Sequence, residues 1–100
     1  PRCAQGQYPL MRLVWRQMAR KDRLRIMDHI AQDNPEAAIM LDESFREKAR
    51  RAAHNPSLYK AGRYPKTREI VVRPNYVMIY RVSGECVEII RILHARQKWP

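Results

Sequence analysis

The chain has 100 residues, of which 45% are hydrophobic and 30% charged, and this is the composition of one globular domain rather than of a disordered polypeptide. No apolar run approaches the roughly 18 residues of a membrane span, and the first ten residues lack the charged-then-apolar layout of a secretory signal. A soluble cytoplasmic protein with no membrane partner is therefore expected.

The strongest bulk feature is charge. Lys and Arg number 20 against 10 Asp and Glu, which gives a formal net charge of +10, and 15 of the basic residues are Arg. The planar guanidinium makes bidentate contacts to phosphate and carboxylate groups. The balance predicts a polyanionic partner, either a nucleic acid or an acidic protein. A basic surface that serves only solubility is the alternative.

Cofactor signatures are absent. Cys3 and Cys86 show no CxxC or Cys/His spacing, so a zinc site or a disulfide framework is not expected. Cys86 begins an apolar run and is expected to be a buried free thiol. The sequence also lacks a Gly-rich phosphate loop, HExxH and GxSxG. No metal and no cofactor are predicted.

The first ten residues contain two prolines and a glycine and show no periodic pattern. A disordered extension, vector-derived or encoded upstream, is expected at residues 1–10, and the patterned domain is expected to span residues 11–100 with Met11 as its native start. A short apolar stretch, Arg12–Trp15, then predicts a first strand.

Two helices are predicted next, over residues 17–32 and 35–53. Asn34 can cap the second helix, and Pro35 suits its first helical position. Both segments place apolar side chains at helical spacing, which in the first are Ala19, Ile26, Met27 and Ile30 and in the second Ala38, Leu41, Phe45, Ala49 and Ala52. A link this short makes the pair an antiparallel hairpin.

The remainder favours strands. After a polar loop at 57–66, three segments rich in Ile, Val and Tyr are separated by turns at Pro74-Asn75 and Ser83-Gly84, and they span residues 67–73, 76–82 and 86–93. The predicted fold is α+β: an N-terminal strand and an antiparallel helical hairpin packed on one face of a three-stranded antiparallel meander, in the order β-α-α-β-β-β.

A basic group surrounds the predicted sheet and consists of Arg63, Lys66, Arg68, Arg73, Arg81, Arg91 and Arg96. Converging cations could stabilise a phosphate backbone or the transition state of its cleavage. Strand alternation, however, puts Arg68 and Arg73 on opposite faces, so not all of these cations can converge. Glu69 and Glu88 are expected to neutralise some of them. A partial anion-binding groove and a merely solvated rim both remain open.

His94 lies where the last strand ends, shortly before Arg96 and Trp99. Histidine is the usual general acid or base near neutral pH, although a single histidine is more often a structural hydrogen-bonding residue.

The tyrosines fall into two groups. Tyr76 and Tyr80 share one strand face and are expected in the core. Tyr59 and Tyr64 lie in the loop and are expected to be freer to contact a ligand, for instance by stacking on a base.

Six segments of the chain carry a family resemblance, and they are Ala19-Arg20-Lys21-Asp22, Ile30-Ala31-Gln32-Asp33-Asn34-Pro35-Glu36-Ala37-Ala38, Ala61-Gly62-Arg63, Thr67-Arg68-Glu69-Ile70-Val71-Val72, Asn75-Tyr76-Val77-Met78-Ile79-Tyr80-Arg81-Val82 and Ile92-Leu93-His94-Ala95-Arg96. Each segment is weak alone, and their order in a basic chain of this length is specific. From residue 11 to residue 100 the sequence resembles the RelE/ParE superfamily of type II toxin–antitoxin toxins.

The resemblance implies the same fold and a growth-arresting toxin that is neutralised by a cognate antitoxin with an acidic toxin-binding segment. It also implies a hetero-oligomeric complex that represses its own operon. The target is either DNA gyrase, as for ParE-like members, or mRNA on the ribosome, as for RelE-like endoribonucleases. RelE-type cleavage uses basic residues at positions that here hold Ile70, Val72 and Val77, and the RelE tail tyrosine has no counterpart. The ParE-like function is favoured, and the segment from Leu93 to Arg96 does not separate the two branches.

Each hypothesis assigns its own site residues. For an inhibitor of gyrase, the predicted target-binding residues are Arg63, Lys66, Arg68, Arg73, Tyr64, His94, Arg96 and Trp99. For an endoribonuclease, the predicted catalytic residues are His94, Arg96, Arg73 and Arg68. A third hypothesis is a basic RNA-binding domain without toxicity.

Overall fold

The structure is a computed structural model that describes residues 11–99, so the extension predicted at residues 1–10 lies outside the described part. The helices are α1 (Gln17–Ala31) and α2 (Pro35–His54), and the strands are β1 (Arg12–Trp15), β2 (Lys60–Ala61), β3 (Arg68–Val72), β4 (Tyr76–Ser83) and β5 (Cys86–His94). All predicted helices and strands are present, each with ends within one residue of the prediction.

The break between the helices follows from local chemistry. The side chain of Asn34 accepts a hydrogen bond from the Ala37 N–H at 3.1 Å, and Pro35 occupies the first helical position. Glu36 in the first turn faces the positive end of the helix dipole. The capping signal read from the sequence is therefore confirmed.

Across residues 11–99 the strands form one sheet in the order β1-β5-β4-β3-β2. The meander of β3, β4 and β5 is antiparallel as predicted, whereas β1 pairs in parallel with the start of β5. A parallel pair needs a long crossover, and the helical hairpin supplies it. The prediction of a polar loop at 57–66 is wrong in one detail, because β2 lies within it and pairs with β3. Two residues are too few to show a strand period in the sequence.

The helices cover one face of the sheet, and the main core lies between the two layers. It is built from most of the predicted apolar stripes and from alternate strand residues that include Ile70, Met78 and Ile89. The prediction is wrong for Met27, which lies on the outer side of the helices. Tyr80 is fully buried there, and its hydroxyl donates to the Pro56 carbonyl at 2.6 Å. Burial raises the pKa of this phenol. Tyr76 also packs against this core, so the prediction for both tyrosines is confirmed.

The opposite side of the sheet, called here the open face, carries a second and smaller cluster. Val77, Ile79 and Leu93 are buried in it, with Ile90 and Trp99 packed against them. The register between β4 and β5 shifts at this point, since Ile79 pairs with Arg91 and Tyr80 with Ile89, which leaves Ile90 as an extra residue on β5.

Cys86 is buried at the start of β5 as predicted, but it is disulfide-bonded, so the prediction of a free thiol is wrong. Neither α1 nor α2 combines the length and apolarity that a membrane crossing requires.

Candidate functional site

A depression of about 700 Å³ opens on the open face, where the loop before β3 meets the end of β4 and the C-terminal tail. We call it the open-face groove. It is lined by Tyr64, Pro65, Lys66, Thr67, Arg81, Val82, Ser83, Ile90 and Trp99. Three of the predicted target-binding residues, Tyr64, Lys66 and Trp99, are therefore brought together.

One wall of the groove is aromatic. The rings of Tyr64 and Trp99 meet edge to face with centroids 5.4 Å apart, and Trp99 also packs on the apolar cluster of the open face. The Thr67 hydroxyl and amide both donate to the Tyr64 carbonyl, at 2.6 and 3.2 Å, which fixes the loop. Tyr64 nevertheless remains 47% exposed, so its ring is available to a ligand.

The cations of the groove differ in their partners. Lys66 is exposed, and within residues 11–99 its ammonium makes no ion pair. Arg81, in contrast, donates its Nε to Glu88 Oε1 at 2.9 Å, and Arg16 approaches the other oxygen of Glu88 at 3.7 Å. The predicted neutralisation by Glu88 is confirmed. The groove therefore presents one unpaired cation beside a paired one.

Arg63 is occupied in the same way. Its Nε donates to Glu69 Oε2 at 2.8 Å, and its backbone N–H donates to the same oxygen at 3.0 Å. The hydrogen bond from Arg63 holds the pKa of Glu69 below its ordinary value, although burial of the carboxylate opposes this effect. The predicted neutralisation by Glu69 is also confirmed.

Arg68 lies on the face of β3 that is turned toward the helices, and its Nη1 donates to the Tyr59 carbonyl at 2.6 Å. Tyr59 is half-buried and meets the ring of Tyr80 edge to face at 6.3 Å. Of the two loop tyrosines predicted to be free for a ligand, only Tyr64 is exposed. Arg68 and Tyr59 together fasten the loop to the core.

His94 lies at the end of β5 on the helix-facing side, with its ring edge to face with Tyr76 at 5.7 Å. Its Nδ1 accepts the Arg96 N–H at 3.2 Å. The pocket beside it, about 310 Å³, is lined by Arg25, Ile26, His29, Tyr76, Ile92, His94 and Gln97. None of these residues lines the open-face groove, so His94 and Trp99 lie on different surfaces.

Three of the four predicted catalytic residues lie at one end of the sheet. Arg73 precedes the turn at Asn75. The Asn75 carbonyl accepts a hydrogen bond at 2.6 Å from the N–H of Ala95, the residue between His94 and Arg96. Arg73 and Arg96 are exposed and form no ion pair within residues 11–99. Arg68 is remote, because it pairs with Tyr80 while His94 pairs with Tyr76, four residues away along β4 or about 13 Å. The four predicted catalytic residues therefore do not converge on one point.

Sequence reasoning missed the role of Asp22. This carboxylate is 1% exposed and accepts hydrogen bonds from Arg91 Nε and from the Ile92 N–H, both at 2.8 Å. It also pairs with Arg25 at 2.7 Å. Arg91, counted in the basic group, is therefore a structural partner. The signal in the sequence was an acidic residue placed directly between Lys21 and Arg23 in an Arg-rich helix.

The outer surface of the helices exposes apolar side chains, with Leu24 66% and Met40 69% accessible. Arg23 donates to both oxygens of Asp42 at 2.9 and 2.8 Å, which ties α1 to α2. Beside this pair is a hollow of about 310 Å³, called here the hairpin groove, which is lined by Arg20, Arg23, Leu24, Met27 and Asp42. Within residues 11–99, no three His, Cys, Asp or Glu side chains are grouped so that they could hold a metal ion.

Comparisons with known proteins agree with this geometry. The model of a family described as "ParE toxin of type II toxin-antitoxin system, parDE" matches residues 13–99. The chain is 32% identical over 90 residues to "Putative toxin Y4kP" of Sinorhizobium fredii, which covers 89% of this chain and 93% of that protein. It is 35% identical over 88 residues to "Toxin RelE2" of Caulobacter vibrioides, which covers 86% of this chain and 97% of that protein.

Among solved structures, a chain of the chromosomal ParDE system from P. aeruginosa superposes with a TM-score of 0.78 at 24% identity. The match covers 87% of this chain and 98% of that chain. This likeness shows that the two share a fold, with a helical hairpin over an antiparallel meander.

Proposed function

Because this chain belongs to the ParE toxin family of type II toxin–antitoxin systems, we propose that it arrests growth by inhibiting DNA gyrase as a binding protein that cuts no nucleic acid. The single observation that carries the proposal is the apolar character of the strand positions where RelE-type members hold cations. Ile70 and Val72 are fully buried under the helices, and Val77 is buried in the cluster on the open face.

Phosphodiester cleavage requires an acid or base and several cations within about 3 Å of one reacting group. The open-face groove contains no histidine, and the carboxylates on this face, Glu69 and Glu88, are held by arginines. His94 lies on the other surface. The arrangement supports recognition of a protein more than chemistry on RNA.

The test is a pair of assays on the purified toxin: supercoiling by gyrase, and the integrity of mRNA on translating ribosomes. We expect the wild-type toxin to abolish supercoiling and to leave mRNA intact. A His94→Ala variant should still inhibit gyrase, because His94 is at most a contact residue in this function. His54→Ala, which changes an exposed histidine on α2, is the matched control. Inhibition of neither process would mean that gyrase is not the target.

A RelE-like, ribosome-dependent mRNA endoribonuclease is the second candidate. The observation that favours it is the grouping of Arg73, His94 and Arg96 at one end of the sheet. In that function His94 would be the general acid or base, and the two arginines would stabilise the phosphate. Codon-phased mRNA cuts that disappear in His94→Ala and persist in His54→Ala would establish this activity in place of gyrase inhibition.

The toxin's partner is a cognate antitoxin, and we propose that an acidic segment of it covers the hairpin groove in a hetero-oligomeric complex. The groove offers apolar surface at Leu24 and Met27 with Arg20 at its rim, which fits an acidic amphipathic helix. Leu24→Asp should weaken antitoxin binding at least tenfold in calorimetry. Leu58→Asp, at a similarly exposed leucine outside the groove, should not change it. Equal affinities of both variants would place the antitoxin elsewhere.

A further inference from the structure

The open-face groove has several exposed or half-buried apolar side chains around one concave surface. Tyr64 is 47% exposed at one wall of the groove, beside the half-buried Ile90 and Trp99. Single exposed apolar residues are ordinary, but several that surround one concave surface indicate a binding site.

The charges around the groove limit what can bind there. Lys66 supplies the unpaired cation, and Arg81 retains an exposed edge while it pairs with Glu88. Glu69 lies on the same sheet face, because it pairs with Ile79 of the open-face cluster. A nucleic-acid strand brings a run of phosphates and needs a run of free cations. Among the described residues that line the groove, such a strand would meet Lys66 as a free cation, and it would also face the carboxylates of Glu69 and Glu88.

A protein segment needs much less charge. One carboxylate can pair with Lys66, and a neighbouring apolar side chain can enter between Tyr64, Ile90 and Trp99. Interfaces between proteins combine an apolar centre with a polar rim in this way, and aromatic residues are enriched at their centres. The composition of the groove matches that pattern.

We propose that the open-face groove is the target-docking surface of this toxin and that it takes an acidic, apolar-anchored segment of a protein. In naming gyrase as the source of that segment, the inference rests on the proposed function. Lys66 binds the carboxylate, and the wall formed by Tyr64 and Trp99 holds the anchor. The helical hairpin lies on the other face of the sheet, so the hairpin groove and the open-face groove are separate surfaces.

The test uses two groove variants of the full chain with matched controls. Tyr64→Asp puts a charge into the apolar part of the groove, and Leu58→Asp puts the same charge at a similarly exposed apolar residue outside it. Lys66→Glu reverses the free charge, and Lys21→Glu makes the same reversal on α1. Circular dichroism and urea midpoints verify that all four variants fold.

In the supercoiling assay we expect the half-inhibitory concentration to rise more than tenfold for both groove variants and to stay within twofold of wild type for both controls. If wild type inhibits gyrase and the groove variants inhibit it equally well, the docking inference is overturned while the proposed function stands.

Growth arrest on expression provides a readout that does not depend on the target. If wild type fails to inhibit gyrase, the proposed function is wrong. Growth arrest by the four variants then tests the docking inference on its own. If the groove variants no longer arrest growth and the controls still do, the groove is a docking surface for another protein. If all four variants arrest growth, the docking inference is overturned. A fluorescent 20-nucleotide RNA is the third arm. RNA that binds wild type and is released by the groove variants would overturn the assignment of a protein ligand.

Discussion

The carboxylate of Asp22 on α1 and the guanidinium of Arg91 on β5 form a two-point ion pair, with Nε to Oδ2 at 2.8 Å and Nη2 to Oδ1 at 3.2 Å. The same carboxylate accepts the Ile92 N–H, a backbone donor on the part of β5 that extends beyond β1. Asp22 therefore links α1 to β5, the strand that ends in His94. It also accepts the hydrogen bond of the Ile92 N–H, which within residues 11–99 has no partner strand on that side.

Replacement of Asp22 by Ala should lower the free energy of unfolding by about 3–5 kcal/mol, because it leaves a largely buried guanidinium and a buried N–H without an acceptor. Urea denaturation of the antitoxin-free protein measures the loss. Glu47→Ala is the control, since both arginine partners of Glu47 are exposed, and it should cost less than about 1 kcal/mol. Equal effects of the two substitutions would contradict the structural role of Asp22.

The contrast between the predicted and the observed elements has a physical cause. Helices and long strands show a hydrophobic period in the sequence. The apolar stripe that ends in Ala52 therefore predicted α2, and the alternation around Tyr80 predicted β4. Strand β2 has no period to show, and Asp22 acts through contacts with residues about 70 positions away. Single-residue contacts over such distances leave no trace in one sequence.

The candidate site was predictable in part for the same reason. Alternation placed Arg68 and Arg73 on different faces, and the neutralisation of cations by Glu69 and Glu88 followed from charge alone. The contact between Tyr64 and Trp99 joins a loop to the C-terminal tail, and the partner of Arg68 is a backbone carbonyl. The first contact joins residues far apart in the sequence and the second has a backbone acceptor, so neither pairing could be predicted from residue types alone.

The core prediction concerns Phe45, which is fully buried on α2 and meets the Tyr76 ring edge to face at 6.0 Å. Phe45→Ala should cost roughly 3–5 kcal/mol, because it removes buried surface and leaves a cavity between the helices and the sheet. Urea denaturation tests this against Met40→Ala, an exposed change on the same helix that should cost about 0.5 kcal/mol or less. A loss below about 1 kcal/mol for Phe45→Ala would contradict the packing.

The pair of Glu69 and Arg63 predicts a dependence of stability on pH. The hydrogen bond from Arg63 depresses the pKa of Glu69 in the folded protein below the ordinary 4.5. A carboxylate whose pKa is lower in the folded than in the unfolded protein stabilises the fold fully at pH values above its unfolded-state pKa. This stabilisation is lost as the pH falls through its folded-state pKa. The difference in unfolding free energy between wild type and Glu69→Gln should therefore be largest near neutral pH and shrink below pH 4.5.

Urea denaturation at pH 7 and pH 3 measures that difference. The same substitution in an Arg63→Met background provides the control, because the pH-dependent part of the difference should disappear with the partner. A difference of equal size at both pH values, or one that persists without Arg63, would assign the effect of Glu69 to another cause.

The last prediction concerns two turns with left-handed backbones, at Lys66 with φ 65° and at Gly84 with φ 59°. A side chain in this conformation costs about 1–2 kcal/mol, and glycine avoids the cost. Lys66→Gly should therefore raise the free energy of unfolding by up to about 1 kcal/mol. Gly84→Ala should lower it by about 1 kcal/mol through the backbone alone, because a Cβ there would meet no atom within 4 Å. Lys60→Gly in β2 is the control and should destabilise the fold by about 0.5–1 kcal/mol, as glycine does in an ordinary strand. If Lys66→Gly destabilised the protein as much as Lys60→Gly, relief of strain at residue 66 would be excluded.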